Sequence, residues 1–351
     1  MKGTTFQNFD VFNRSKLTIF HWLALFSICI VVGFRYEVGT DWQGYKEWFE
    51  YFKIVSFDSL DKLNFELGFL ILNYGLAKLD ADYTLMFSLM ALISWVFIFK
   101  GITANILPLF LFLVFADEYF FWSMNVIRQF MCLAIFLYAI RFIVQRKAKE
   151  YFFFVLIAIL FHTSAAILIL FYFIPWGKIY KPKYWFIAFL ISIFLANTPL
   201  IFSFVETALF TVGEIIPLFS IYIRYFESGK FGAAQLDVGL GYIFRLAVAI
   251  FIFIYCNSVT EKYPKTKIFF VLFFIGSIVY NLFYMVQLIG RINHYFLFMR
   301  PVILSVIIYY LWTEENKRYV SLLILFLYFI IFLVTIYNSS NDNSPYQFRL
   351  G

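Results

Sequence analysis

Charge is what this chain has least of. Asp, Glu, Lys and Arg together make up 14% of its 351 residues, where a soluble domain carries about a quarter. No polar stretch between its apolar runs exceeds about forty residues, which is short for an independent domain. A water-soluble globular protein is thereby excluded, and residues 1–351 are expected to form a single transmembrane domain. Cysteine is nearly absent as well. Cys29, Cys132 and Cys256 each lie within an apolar run, where cysteine behaves as a small hydrophobe. That spacing implies neither a disulfide framework nor a zinc cluster. No Gly-Lys-Ser/Thr triplet occurs, so a Walker-type phosphate loop and ATP drive are not expected. No His-Glu-x-x-His helix and no acidic pair with metal-ligand spacing is present; Asp80 and Asp82 read as solvated residues flanking a short turn, as do Asp117 and Glu118. No metal and no cofactor is expected. A cleavable signal peptide is not expected either, because residues 1–16 are polar and the apolar run behind them has no small-residue cleavage site.

What is present is apolar: 63% of residues are hydrophobic and 24% aromatic, and the mean hydropathy is +0.83. Runs near residues 17–34, 84–99, 104–121, 122–144, 184–204, 241–258, 268–288, 294–312 and 319–337 read as spans. Several approach the length of about twenty residues that a bilayer core demands. The fold class is all-α: a polytopic integral membrane protein of about 10–12 membrane helices, some short or re-entrant. The formal charge of +7 does not point to nucleic acid. Lys and Arg gather in segments 145–150, 178–183, 261–267 and 317–318, as short cytoplasmic loops do under the positive-inside rule.

Two apolar stretches are irregular. Residues 65–79 are short for a span and carry Asn73, and residues 151–176 are interrupted at His162-Thr163-Ser164. Counting both as ordinary spans would place basic loops outside. The positive-inside bias is recovered if 65–79 is re-entrant or lies on the surface and if 151–176 is a hairpin turning at His162. Arg35, Asp41, Arg128, His162, Arg224 and Arg291 then all face the outer side, together with the two largest hydrophilic segments, 35–64 and 205–240.

Charge at membrane depth costs several kcal/mol, so such residues face a partner, a wet cavity or a ligand. In the run Gly33-Phe-Arg-Tyr-Glu-Val-Gly-Thr-Asp-Trp-Gln-Gly-Tyr45, Gly39 permits a tight turn. Thr40 or Asp41 is placed to cap a helix starting near Gln43. Asp41 is equally suited to orient or deprotonate a sugar hydroxyl, with Glu37 as the alternative carboxylate. Trp42 and Tyr45 offer rings for stacking on a pyranose or for anchoring at the interface. Arg128 opens a long apolar helix between Asn125 and Gln129; its planar fork of donors matches phosphate and stays charged at every relevant pH. His162 can accept a proton or donate to a phosphate oxygen. Arg224, Arg245 and Arg291 complete a set of arginines suited to clamping a pyrophosphate, with Arg291 expected in a tight outer turn.

These residues resemble the EpsG-like branch of bacterial polysaccharide polymerases, the Wzy type of O-antigen or exopolysaccharide polymerase. The matching pieces are Phe34-Arg35-Tyr36, Val38-Gly39-Thr40-Asp41 with Tyr45, Glu66-Leu67-Gly68-Phe69, Ile127-Arg128-Gln129 and Leu160-Phe161-His162-Thr163-Ser164-Ala165. Their order covers about the first 175 residues; the second half matches only in hydropathy and in outer arginines such as Arg291. Phe130-Met131-Cys132 stands where the family pattern has a small aliphatic residue. The resemblance implies an inner-membrane glycosyltransferase of the lipid-carrier-dependent type. Such enzymes join undecaprenyl-diphosphate-linked oligosaccharide repeats on the periplasmic face, in contact with membrane lipids; a chain-length regulator is a possible further partner, on which the sequence is silent. Asp41, His162 and Arg128 are then the expected catalytic residues, and Arg35, Tyr45, Gln129, Arg224, Arg245 and Arg291 the substrate-binding ones. A flippase for the same lipid-linked sugar and a membrane O-acyltransferase with His162 as base are the rival readings.

Overall fold

The structure is a computed structural model, and it describes residues 9–13, 16–196, 239–284, 287–338 and 346–349 with a few single positions between 197 and 211. In chain order its helices are α1 (Ile19–Gly33), α2 (Trp42–Ile54), α3 (Leu67–Lys78), α4 (Tyr83–Gly101), α5 (Leu107–Ala116), α6 (Tyr119–Trp122), α7 (Ile127–Val144), α8 (Ala148–Phe161), α9 (Leu168–Phe171), α10 (Trp176–Ile179), α11 (Pro182–Leu195), α12 (Leu240–Lys262), α13 (Lys267–Phe283), α14 (Gln287–Leu297), α15 (Met299–Thr313) and α16 (Arg318–Asn338). Among the described residues, six helical stretches are long and apolar enough to cross a membrane, and four shorter ones are apolar. The protein is therefore an all-α polytopic membrane protein. It divides into two compact units, residues 1–174 with 304–351, and residues 175–303.

In the first unit the axis is α7. Apart from Arg128, Gln129 and Arg141 it is apolar all round, and a helix with no wet stripe buries every face. Its span is 89% buried, against 11% for α16, so α16 is a lipid-facing helix. Trp95 on α4 packs beside Phe130 on α7, and Phe97 beside Tyr138, so α4 and α7 run parallel. The Cys132 thiol donates to the Ala158 carbonyl at 3.1 Å, and Tyr138 meets Phe154, so α8 runs back. Gly33 at the end of α1 meets Ser88 early in α4. One end of this unit thus gathers the end of α1, the starts of α4 and α7 and the end of α8.

The opposite end of the unit is basic. It holds Lys16, Lys100, Arg141, Arg146, Lys147, Lys149, Lys317 and Arg318, which flank helix termini there. Arg141 is buried and donates to the carbonyls of Tyr138 at 3.0 Å, Gly101 at 3.2 Å and Lys100. The Lys100 and Gly101 carbonyls are acceptors at the close of α4 that the helix itself leaves open. Arg141 is a structural clasp.

Helix α3 does not cross. At 12 residues it is only about 18 Å long, against a hydrocarbon core of roughly 30 Å. Glu66 before it reaches Arg128 at the start of α7, and Asp82 after it caps α4; both lie at the same end of the unit. Gly68 lets α3 lie against α8, because a Cβ there would fall 2.7 Å from the Leu160 carbonyl oxygen. Backbone cannot step aside. Gly68→Ala is expected to cost about 1–3 kcal/mol, read as a lower melting temperature in detergent. Gly75→Ala on the same helix, where a Cβ meets nothing, is expected to be near neutral.

The chain reverses at His162. It leaves α8 in an extended conformation there, and the Tyr151 hydroxyl at the start of α8 donates to the Leu168 carbonyl at 2.7 Å. Tyr151 then faces Tyr172, and Phe152 faces Phe173.

In the second unit α13 is the packing centre, touched by α10, α11, α12 and α14. Residues 287–297, expected as a tight turn around Arg291, form helix α14 instead. Ile292, Tyr295 and Phe296 fall at helical spacing and give it an apolar face. Gly276 of α13 admits Phe296 and Leu297, and Asn293 donates to the Gly276 carbonyl at 2.9 Å. Packing on α13 decides the conformation.

Candidate functional site

At the non-basic end of the first unit, polar side chains converge on Arg128. It stands in the first turn of α7, one of its arms pairs with Glu66, and its guanidinium lies over Phe65 and Phe69 at 5.2 and 5.1 Å from their ring centroids. Its Nε is buried with no hydrogen-bond partner among the described residues. Glu66 also accepts from the Thr163 backbone N–H at 2.9 Å and its hydroxyl at 3.4 Å. One carboxylate therefore ties the start of α7 to the turn that follows His162. Side-chain exposures of 22% and 13% leave the pair open to a ligand on one side.

Tyr45 sits beside this pair. Its ring packs edge-on against Phe69 and Phe87. Burial pushes its phenol up, against the opposing pull of Arg128; Asp41 adds to the rise and Arg35 to the pull. The hydroxyl is thus a protonated donor at neutral pH, within electrostatic range of both arginines and of Asp41. Gly39 has φ +99°, and a Cβ there would strike the Asn125 side chain at 2.6 Å. Thr40 donates to Asn125 at 3.1 Å. This turn carries Asp41 to the N-cap position of α2, which starts at Trp42, one residue earlier than expected, yet the Asp41 side chain makes no cap bond. The cap function expected of Thr40 or Asp41 goes to neither side chain.

His162 has a defined tautomer. Its Nδ1 accepts the Ser164 backbone N–H at 3.2 Å and lies 2.7 Å from the Ser164 hydroxyl. A backbone N–H can only donate, so the neutral ring carries its proton on Nε2. Of the two roles open to it, this geometry suits donation.

Arg35 is 1% exposed. It donates to the Val32 carbonyl at 2.5 Å and the Met124 carbonyl at 2.8 Å, and it covers the Phe87 ring at 4.0 Å. Burial pulls its guanidinium down to about 10, so it stays charged while tying the end of α1 to the segment before α7. Gln129 is buried inside the bundle. Both are placed to hold the site's frame.

The chain's last described residues strap this end. Tyr36 N–H donates to the Gln347 carbonyl at 2.9 Å, and Arg349 N–H to the Phe34 carbonyl at 3.1 Å, while the Tyr346 hydroxyl donates to the Val31 carbonyl. Arg349 pairs with Asp82 at 2.5 Å and covers Tyr83. Asp82, expected as a solvated turn residue, is thus both the N-cap of α4, accepting from Thr84 N–H at 2.8 Å, and the anchor of the tail. Burial raises its carboxyl, but the bonds from Thr84 and Arg349 outweigh that and hold it below the usual carboxylate range. A depressed folded-state value means the contribution is complete above the unfolded value near 4 and is lost as pH falls through the folded one. A fluorophore at Gln347 should lose anisotropy below about pH 4; in Asp82→Asn the anisotropy should be lower at neutral pH and should not show that acid-dependent fall. An unchanged acid-dependent fall in that variant would contradict the Asp82 anchor.

In the second unit, Arg245 on α12 lines a small cavity with Arg300, and Arg291 is exposed on α14. Arg224 lies outside the described residues. Sequence reasoning missed Glu66, Thr163, Asp82 and Arg349 as site residues. Glu66 had a signal, in the run Glu66-Leu67-Gly68-Phe69 before a helix too short to span. Arg349 had none.

The class that the fold defines is the all-α multi-pass membrane protein, here with a paired arginine and carboxylate, a tyrosine and a histidine at one end of its first unit. The chain belongs to the EpsG family, which it matches over residues 18–348. That match runs well past the first 175 residues on which the resemblance was read. No curated protein and no solved structure matches it.

Proposed function

We propose that this protein is a polymerase that joins undecaprenyl-diphosphate-linked oligosaccharide repeats into O-antigen or exopolysaccharide on the periplasmic face of the inner membrane. Family membership supports a polysaccharide-polymerase role. The observation that carries the finer reading is the Arg128–Glu66–Thr163 bridge at the end of the first unit opposite its basic termini. Under the positive-inside rule those termini lie in the cytoplasm, and the bridge faces outward.

The chemistry follows from the side chains. The acceptor hydroxyl oxygen bonds to the donor's anomeric carbon, the bond from that carbon to the diphosphate oxygen breaks, and the hydroxyl proton passes to Asp41. Negative charge grows on the departing diphosphate. Arg128 meets it with the donors that Glu66 leaves over, and His162 adds its Nε2–H; such preorganised donors stabilise developing charge without a metal. Glu66 holds Arg128 and the Thr163 turn in register, and Tyr45 donates to a substrate oxygen. A flippase would need a cationic path open at both ends, whereas Arg141 at the opposite end is spent on backbone carbonyls. An O-acyltransferase would need His162 as base, which its Nδ1 contacts disfavour.

Purified protein in proteoliposomes, supplied with a lipid-linked repeat, is expected to lengthen the glycan. Translocation without lengthening would select the flippase, and acyl transfer the third reading.

A further inference from the structure

The turn that carries Asp41 is built from conformations a chain does not hold unaided. Between Arg35 and Asp41, Glu37 has φ +51° and Gly39 has φ +99°. Glycine takes such a conformation freely. A glutamate in the left-handed region persists only where its surroundings over-determine it, so both flanks of the turn must be pinned. On the far flank Val38 is buried, Thr40 donates to Asn125 at 3.1 Å, and the Trp42 N–H donates to the Gly39 carbonyl at 3.1 Å. On the near flank the Trp42 indole N–H donates to the Arg35 carbonyl at 3.2 Å.

The last backbone donor before Glu37 is the Tyr36 N–H, and the C-terminal tail meets it. The Gln347 carbonyl accepts it at 2.9 Å, and the Arg349 N–H donates to the Phe34 carbonyl at 3.1 Å, flanking an antiparallel bridge between Arg35 and Phe348. A second route runs through rings. Arg349 covers Tyr83 at 4.7 Å, Tyr83 packs edge-on against Trp42 at 5.7 Å, and Trp42 packs edge-on against Tyr36 at 5.2 Å. The tail therefore reaches the residues on both sides of the left-handed turn. Chain ends stay loose unless tied down. This one is tied by the Tyr346 hydroxyl to Val31, by the backbone bridge and by Arg349 to Asp82.

We propose that the tail segment Tyr346–Arg349 is a positioning element for the proposed reaction. By fixing Tyr36 and Trp42 it keeps the strained turn from relaxing, and so holds Asp41 where it can take the acceptor's proton. The inference rests on the proposed role of Asp41 as base. Arg349 acts through the turn and takes no part in the chemistry.

Arg349→Pro tests this in the full-length chain, since it removes both the N–H given to Phe34 and the guanidinium held by Asp82; proline has no N–H to give. Hydrogen exchange in detergent should quicken about tenfold across residues 36–41 and keep its wild-type rate in α7. In elongation assays with a lipid-linked repeat, kcat should fall about tenfold with KM unchanged, as for a group moved off its transition-state position. Arg349→Lys, which keeps the N–H and the charge, should elongate at close to the wild-type rate. In an Asp41→Asn background, itself about a hundredfold down, Arg349→Pro should cost nothing further, because two changes acting through one group are not additive. A tail that only stabilised the fold would cost the same in both backgrounds. Equal costs, unchanged exchange across 36–41, or unchanged or faster elongation by Arg349→Pro alone would overturn the inference. Full elongation by Asp41→Asn would instead overturn the role of Asp41 in the proposed chemistry, and the inference with it, even where exchange quickens.

Discussion

A cell whose own polymerase is deleted and replaced by the Arg128→Ala variant should make single repeats and no ladder. Among the described residues, Arg128 is the one charged side chain that touches Glu66, lies beside Tyr45 and keeps an unbonded, buried Nε at the end where the substrate is proposed to sit. Removing one such donor from a preorganised charge-stabilising site costs on the order of a hundredfold to a thousandfold in rate. Arg128→Lys should not rescue it. A lysine keeps the charge but has no planar fork to hold Glu66 and a phosphate at once. Protein abundance should stay near wild type, since the guanidinium is partly exposed and α7 is held along its length by apolar packing. A wild-type ladder from the alanine variant at normal abundance would remove Arg128 from the mechanism.

Glu66→Ala should come close behind, with a loss of roughly a hundredfold, in line with truncating one partner of a charged, hydrogen-bonded pair. Two things go at once: the partner that orients Arg128 and the acceptor that holds Thr163 N–H. Glu66→Gln separates them. Its amide oxygen still accepts from Thr163 but no longer neutralises Arg128, so about tenfold of activity should return relative to alanine. Residues that share one bridge are not additive. The Arg128→Ala, Glu66→Ala double variant should therefore be little worse than Arg128→Ala alone, as read by single-turnover elongation. Strict additivity would mean that the two act independently.

The membrane helices were legible because hydropathy is a local property, and α1, α4, α7, α12, α13 and α16 begin and end within a few residues of the runs that announce them. The break at His162 and the short α3 were legible for the same reason: an interrupted or undersized run cannot span. What stayed hidden depends on contacts distant in sequence. Glu66 and Arg128 are 62 residues apart, and Asp82 and Arg349 are 267 apart. Nothing in either segment names the other. Arg35 shows the same limit: its charge at a helix end suggested a ligand, and the carbonyls of Val32 and Met124 that it also meets leave no trace in composition. Arg291 was expected in a tight outer turn; the apolar spacing of Ile292, Tyr295 and Phe296 makes that segment helical instead.

The bridge of Arg128, Glu66 and Thr163 must be wet and open to the outside for any of this chemistry to occur. Thr163→Cys, in a background where Cys29, Cys132 and Cys256 are replaced by serine or alanine, puts a thiol at the exposed edge of the bridge. Right-side-out membrane vesicles treated with a membrane-impermeant maleimide should label that thiol, and lipid-linked repeats should slow the labelling. Modification only after the vesicles are opened to their interior would put the bridge on the cytoplasmic side and contradict it.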